Sequence, residues 1–158
     1  MQISNFSLKI NKKTVKQRET ASNTKQAKVV EDPQSFLAMH PVWSFKSLDN
    51  GYSKWGFAHS SNLFTDVICK LKDNEGMTWG QIISASGGRS HGTNSHYENV
   101  AELIPEAQKR WTDLHLEEYD RVFSLRLTNL HRLYGILEDG VFRIIWFDQK
   151  HEIYQTKK

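Results

Sequence analysis

Cysteine is nearly absent: Cys69 stands alone in a chain of 158 residues, which excludes an internal disulfide and any cysteine-rich zinc site and fits a reducing compartment. Long apolar runs are missing as well. No stretch reaches 18 apolar residues and no signal-peptide core is visible, so a cytoplasmic protein with no membrane partner is expected. A large charge excess is also lacking. The net charge of +3 excludes a broadly basic surface and confines any nucleic-acid site to a local patch. What is present is enough apolar material for one core, 38% of residues with five Trp and eight Phe.

The small net charge conceals an asymmetry. Residues 1–28 carry seven basic side chains (Lys9, Lys12, Lys13, Lys16, Arg18, Lys25 and Lys28) against Glu19, which leaves 14 basic and 17 acidic residues for the rest. Residues 1–32 also hold too few large apolar groups to dock by burial, so a disordered basic arm is expected, serving as a solubilising tail or as a phosphate contact. A single domain then occupies residues 33–158.

The domain is organised around its last forty residues. Asp139-Gly140, flanked by apolar alternation, marks a two-residue hairpin of type I′, because both central positions need positive φ. That turn pairs Glu138 with Val141, Ile136 with Arg143, Tyr134 with Ile145 and Arg132 with Phe147 on one face. Leu133, Gly135, Leu137, Phe142, Ile144 and Trp146 fall on the other, apolar face. A preceding strand over 121–128, joined through Thr128-Asn129-Leu130, pairs Phe123 with Gly135 and Arg126 with Arg132. Phe123 then covers a strand glycine. Arg126, Arg132 and Arg143 share a face with Tyr134, either as a solvated surface or as a grip for an anionic chain.

Upstream, Val42, Trp43, Phe45 and Leu48 predict a first strand in 41–49, closed by Asn50-Gly51. Residues 52–59 read as its return strand or an extended loop. Leu63, Phe64, Val67, Ile68 and Leu71 recur at helical spacing over 62–72, and Thr78 caps a second helix from Trp79 to about Ala85. The stretch 87–99 is polar and glycine-rich and concentrates Arg89, His91, His96 and Glu98. It is either an incidental surface loop or a site, since loops on a scaffold often carry chemistry. Spacing alone supplies no metal set, even with Glu98, Asp113 or His115 added to the two histidines, so no metal and no cofactor is assigned. A polar helix over 99–112, interrupted by Pro105, completes the order. The fold class expected is α+β, an antiparallel sheet with helices packed on one face and the arginine face left free.

Ser124-Leu125-Arg126-Leu127, then Leu130-His131-Arg132-Leu133-Tyr134, the Asp-Gly turn, an apolar strand and His151-Glu152-Ile153-Tyr154 resemble the C-terminal half of RelE/YoeB-like toxins, of the RelE/ParE superfamily of bacterial toxin-antitoxin modules. The motif likeness covers residues 119–154, and the order of two helices followed by three strands extends it to 42–154. The resemblance implies a RelE-like fold and a metal-independent endoribonuclease of the mRNA interferase type. Its implied partners are RNA, the ribosome and a cognate antitoxin. Carried over by motif, Arg132 is the phosphate-stabilising cation, Arg126 a flanking substrate arginine, His151 the terminal acid or base and Tyr154 the closing tyrosine. Tyr134, Arg143, Arg89, His91 and His96 are candidate RNA contacts. Two departures mark a divergent member: Glu152-Ile153 splits the family's adjacent His-Tyr pair, and its catalytic glutamate has no assured counterpart, only Glu98 or Glu117. Two readings from other classes stay open: a non-catalytic protein- or nucleic-acid-binding module using the arginine face, and a metal-dependent nuclease built on His91 and His96.

Overall fold

In a computed structural model, which describes residues 35–85 and 94–154, the terminal hairpin forms around Asp139 (φ 49°) and Gly140 (φ 79°). These are the positive values that a type I′ turn requires. The hairpin joins β4 (Arg132–Glu138) to β5 (Val141–Asp148), and β3 (Arg121–Arg126) pairs antiparallel with β4. Phe123 lies opposite Gly135 and Arg126 opposite Arg132, as the sequence predicts. Two short strands complete the sheet: β1 (Val42–Ser44) beside β5, and β2 (His96–Asn99) beside β3. The order is β1-β5-β4-β3-β2.

Three features correct the expected α+β arrangement. The sheet is mixed rather than antiparallel, because β1 runs parallel to β5. Residues 52–59 are not its return strand but turns ending in a 3₁₀ turn at Phe57–His59. Both faces are also covered. One carries Phe36 from the 3₁₀ turn Ser35–Ala38, Val67 from a π-helical turn at Phe64–Ile68, Leu71 from α1 (Cys69–Glu75), and Trp79 and Ile82 from α2 (Trp79–Ser84). They pack on Phe123, Leu125, Leu133, Leu137, Phe142, Ile144 and Phe147. The arginine face, expected to be free, is covered by Trp55, Leu103, Ile153 and the α3 residues (Pro105–Asp113) Ala107 and Trp111, packed on Val122, Tyr134, Ile136, Ile145 and Trp146. The apolar share of that face, Ile136, Ile145 and Trp146, is too large to leave in water.

Helix boundaries follow local chemistry. Thr78 caps α2 in a capping box with Gln81, satisfying two of the helix's free amides. Pro105 starts α3 instead of interrupting a helix over 99–112, since its missing N–H costs nothing in the first turn. The residues before it form β2 and a 3₁₀ turn at Val100–Glu102.

The register of the hairpin holds only near its turn. Glu138, Leu137, Ile136 and Gly135 face Val141, Phe142, Arg143 and Ile144 as expected, but Tyr134 then faces Trp146 and Arg132 faces Asp148. Ile145 is the extra residue of a β-bulge. Its carbonyl accepts from Asp49 N at 3.0 Å, so the bulge leaves no orphaned acceptor there. Gly135 permits it. A Cβ at that position would stand 2.1 Å from Arg143 O. The shift exchanges Trp146 and Phe147 between faces relative to the sequence expectation and brings Asp148 onto the arginine face.

The basic arm expected over residues 1–32 lies outside the described residues. Among the described residues no helix is long and apolar enough to cross a membrane.

Candidate active site

Alternation along four strands gathers polar groups at one end of the α3-covered face. Arg126, Arg132 and Asp148 are consecutive across β3, β4 and β5, and one step inward His96, Ser124 and Tyr134 are consecutive across β2, β3 and β4. Glu98 lies on the same face of β2, two residues from His96. His151 stands three residues beyond the end of β5.

Arg132 is buried, 3% exposed, yet its Nη1 makes no hydrogen bond, and the same holds for the buried hydroxyls of Ser124 and Tyr134. Buried polar groups in native proteins are nearly always bonded, and a catalytic role is one explanation for an exception. Burial pulls the Arg132 pKa down, against Tyr134, while Arg126 adds to the downward pull and Asp148 and Glu98 oppose it. The guanidinium is therefore a desolvated cation with unused donor capacity. Arg126 is held at the strand end, donating from Nε to Thr128 O at 3.1 Å and from its guanidinium to Asn129 Oδ1.

Two histidines flank the cations. His96 contacts Glu98 Oε1 through Nε2 and Asn94 O through Nδ1. Glu98 is itself buried, and burial raises its pKa against the lowering effect of His96. His151 is half-buried with φ at 59°. Its pKa is lowered, first by burial and then by Arg132, with Asp148 opposing and Arg126 and His96 adding to the fall. Asp148, 1% exposed, accepts from Lys150 N at 3.1 Å and Ile153 N at 2.9 Å. Tyr154 is half-buried beside Glu98 and Glu102, whose charges raise its pKa.

Of the residues singled out from sequence, Arg126, Arg132, His96, His151 and Tyr154 come together here. Tyr134 joins them only from beneath. It is fully buried, so it presents no ring to a base, and burial raises its hydroxyl pKa. Arg143 stands apart, bonded to Tyr119 Oη at 2.7 Å and Glu138 Oε2 at 2.6 Å near the hairpin turn. Five residues of β5 separate it from Asp148, roughly 15 Å along a strand. Arg89 and His91 lie outside the described residues. Among the described residues no three His, Cys, Asp or Glu side chains group as a metal site.

Asp148, Ser124 and the His96-Glu98 contact were not legible as a unit. The alternation of His96, Tyr97 and Glu98 is the signal that places β2: Tyr97 packs inward on Phe123 at 5.0 Å while its neighbours turn to the site. Asp148 carried no such signal, because only the bulge turns it inward. A desolvated cation between two imidazoles, one backed by a carboxylate, can hold an oxyanion and move protons on either side of it. No family model, no curated protein and no solved structure matches the chain.

Proposed function

We propose that the chain is a divergent RelE/YoeB-like toxin that cuts mRNA as a metal-independent endoribonuclease. The observation that carries the reading is the Arg132 guanidinium, buried with an unpartnered Nη1 and lying among Arg126, His96, Glu98 and His151. Of these, Arg132, Arg126 and His151 are the groups to which the resemblance assigns RNA cleavage; His96 and Glu98 are added to them by their place on the same face. In this reading His151, whose neutral form is favoured by burial and by the two arginines, takes the proton of the ribose 2′-OH. The 2′ oxygen attacks the adjacent phosphorus, the bond to the 5′ oxygen breaks, and a 2′,3′-cyclic phosphate forms. Arg132 stabilises the non-bridging oxygens as charge builds there. His96, bound to Glu98, returns a proton to the departing 5′ oxygen. Arg126 binds a neighbouring phosphate and Tyr154 offers its ring to a base. The expected partners are RNA, the ribosome and an antitoxin that covers this end of the sheet.

The test is cleavage of a labelled mRNA by the purified protein, with and without ribosomes and in EDTA. Chelator-resistant cutting that falls by about 100-fold or more in Arg132→Ala and His151→Ala is expected. Intact RNA in every condition, from protein shown to be folded, overturns the reading and leaves a binding module. Loss of cutting in EDTA with recovery on adding a divalent ion moves the site to metal chemistry.

A further inference from the structure

We propose that Asp148 is the positioning residue of this site, tying down the segment after β5 so that His151 is held beside Arg132 in one protonation-sensitive arrangement. The argument begins with the bulge. A hairpin in continuous register would face Arg132 with Phe147, whereas the extra residue at Ile145 faces it with Asp148. An acidic side chain thus replaces an apolar one where β5 meets Arg132.

Both carboxylate oxygens are then used. Oδ1 accepts from Lys150 N at 3.1 Å and Oδ2 from Ile153 N at 2.9 Å, so the chain is folded back across the carboxylate with His151 at the crest. His151 adopts φ 59° there, a left-handed conformation that a residue with a Cβ rarely takes unless its surroundings impose it. The return is anchored on the far side as well: Ile153 is buried and its carbonyl accepts from Ile104 N at 3.0 Å, immediately before α3. Asp148 therefore sets where the imidazole stands.

Its charge also sets how the imidazole titrates. The charged and titrating groups facing His151 are Arg132 from β4, Arg126 from β3, His96 from β2 and Asp148 from β5. The first three disfavour the imidazolium, as does burial; Asp148 alone favours it. Removing its charge with the imidazole held in place must move the His151 titration to lower pH.

The catalytic part of this inference rests on the nuclease reading, and the positioning part does not. The imidazole proton resonances of His151 are followed against pH by NMR in the wild-type chain, Asp148→Asn and Asp148→Ser. The expected result is a midpoint moved to lower pH in Asp148→Asn, whose amide oxygen still accepts from the segment, and moved to higher pH in Asp148→Ser, where the freed imidazole leaves the arginines and the Ile153 amide loses its hydrogen-exchange protection. If RNA is cut, the acidic limb of its pH profile moves in the same direction by the same amount. An unchanged midpoint in a folded variant overturns the proposal. Should neither variant fold, the Lys150 and Ile153 amide resonances of the wild type must shift with the His151 titration, and their indifference to it overturns the proposal equally. A moved midpoint without any RNA cleavage supports the positioning role and rejects only the nuclease reading.

Discussion

Among the residues held in states that cost free energy, His151 and Tyr134 each make a prediction. His151 holds φ at 59°. Replacing it by glycine removes the clash between Cβ and carbonyl, whereas alanine keeps it, so His151→Gly should be more stable than His151→Ala by about 1 kcal/mol. Urea unfolding of the two variants measures the difference; equal midpoints would show that the backbone relaxes when the imidazole is gone. Tyr134 is fully buried with its hydroxyl unbonded. An unpaired buried hydroxyl lowers stability, and deleting it leaves the ring packing intact. Tyr134→Phe should therefore match or exceed wild-type stability by up to about 1 kcal/mol. A loss above that amount would mean that the hydroxyl is bonded in solution, by Ser124 opposite it or by water.

At the scale of the element, the β4–β5 hairpin depends on Gly135. The bulge brings Arg143 O to 2.1 Å from where a Cβ would lie, and the Phe142 ring to 2.9 Å. Neither neighbour can give way, because the first is backbone in a central strand and the second is fully buried. Gly135→Ala should cost about 3 kcal/mol, the upper range for overpacking, measured by denaturant unfolding. If the variant folds by losing the bulge, Asp148 leaves the site face, and on the proposed nuclease reading cutting is lost with it. The hairpin also couples to the helical layer, since Trp79 Nε1 in α2 donates to Gly140 O at 2.8 Å.

For the whole molecule, the two covered faces meet solvent differently. Around α3 the closure is ionic: Asp49, buried, accepts from Arg110 at 2.6 and 2.8 Å and from Trp146 Nε1 at 3.0 Å. Burial by itself would raise the Asp49 pKa, but the bonds from Arg110 and Trp146 outweigh it and hold the carboxyl below its usual range. A carboxyl with a folded pKa below the unfolded one lends stability that is complete above the unfolded value and is lost as pH falls through the folded value. Thermal unfolding should show wild-type stability declining below about pH 4. Asp49→Asn, lower at neutral pH by about 2 kcal/mol, should show a shallower decline. Parallel curves would assign the acid sensitivity to other carboxylates.

The Asp-Gly turn, the pairing of Phe123 with Gly135, the Thr78 cap and the placing of Arg126, Arg132 and Arg143 on one face were all legible in the sequence, because each depends on contacts within a few residues or on simple alternation. The burial of that arginine face and the parallel docking of β1 depend on which distant segments cover the sheet. The site itself belongs to the second class. A one-residue bulge made possible by Gly135 moves Asp148 opposite Arg132. Register after a bulge is decided by packing on both faces at once, which no local pattern encodes.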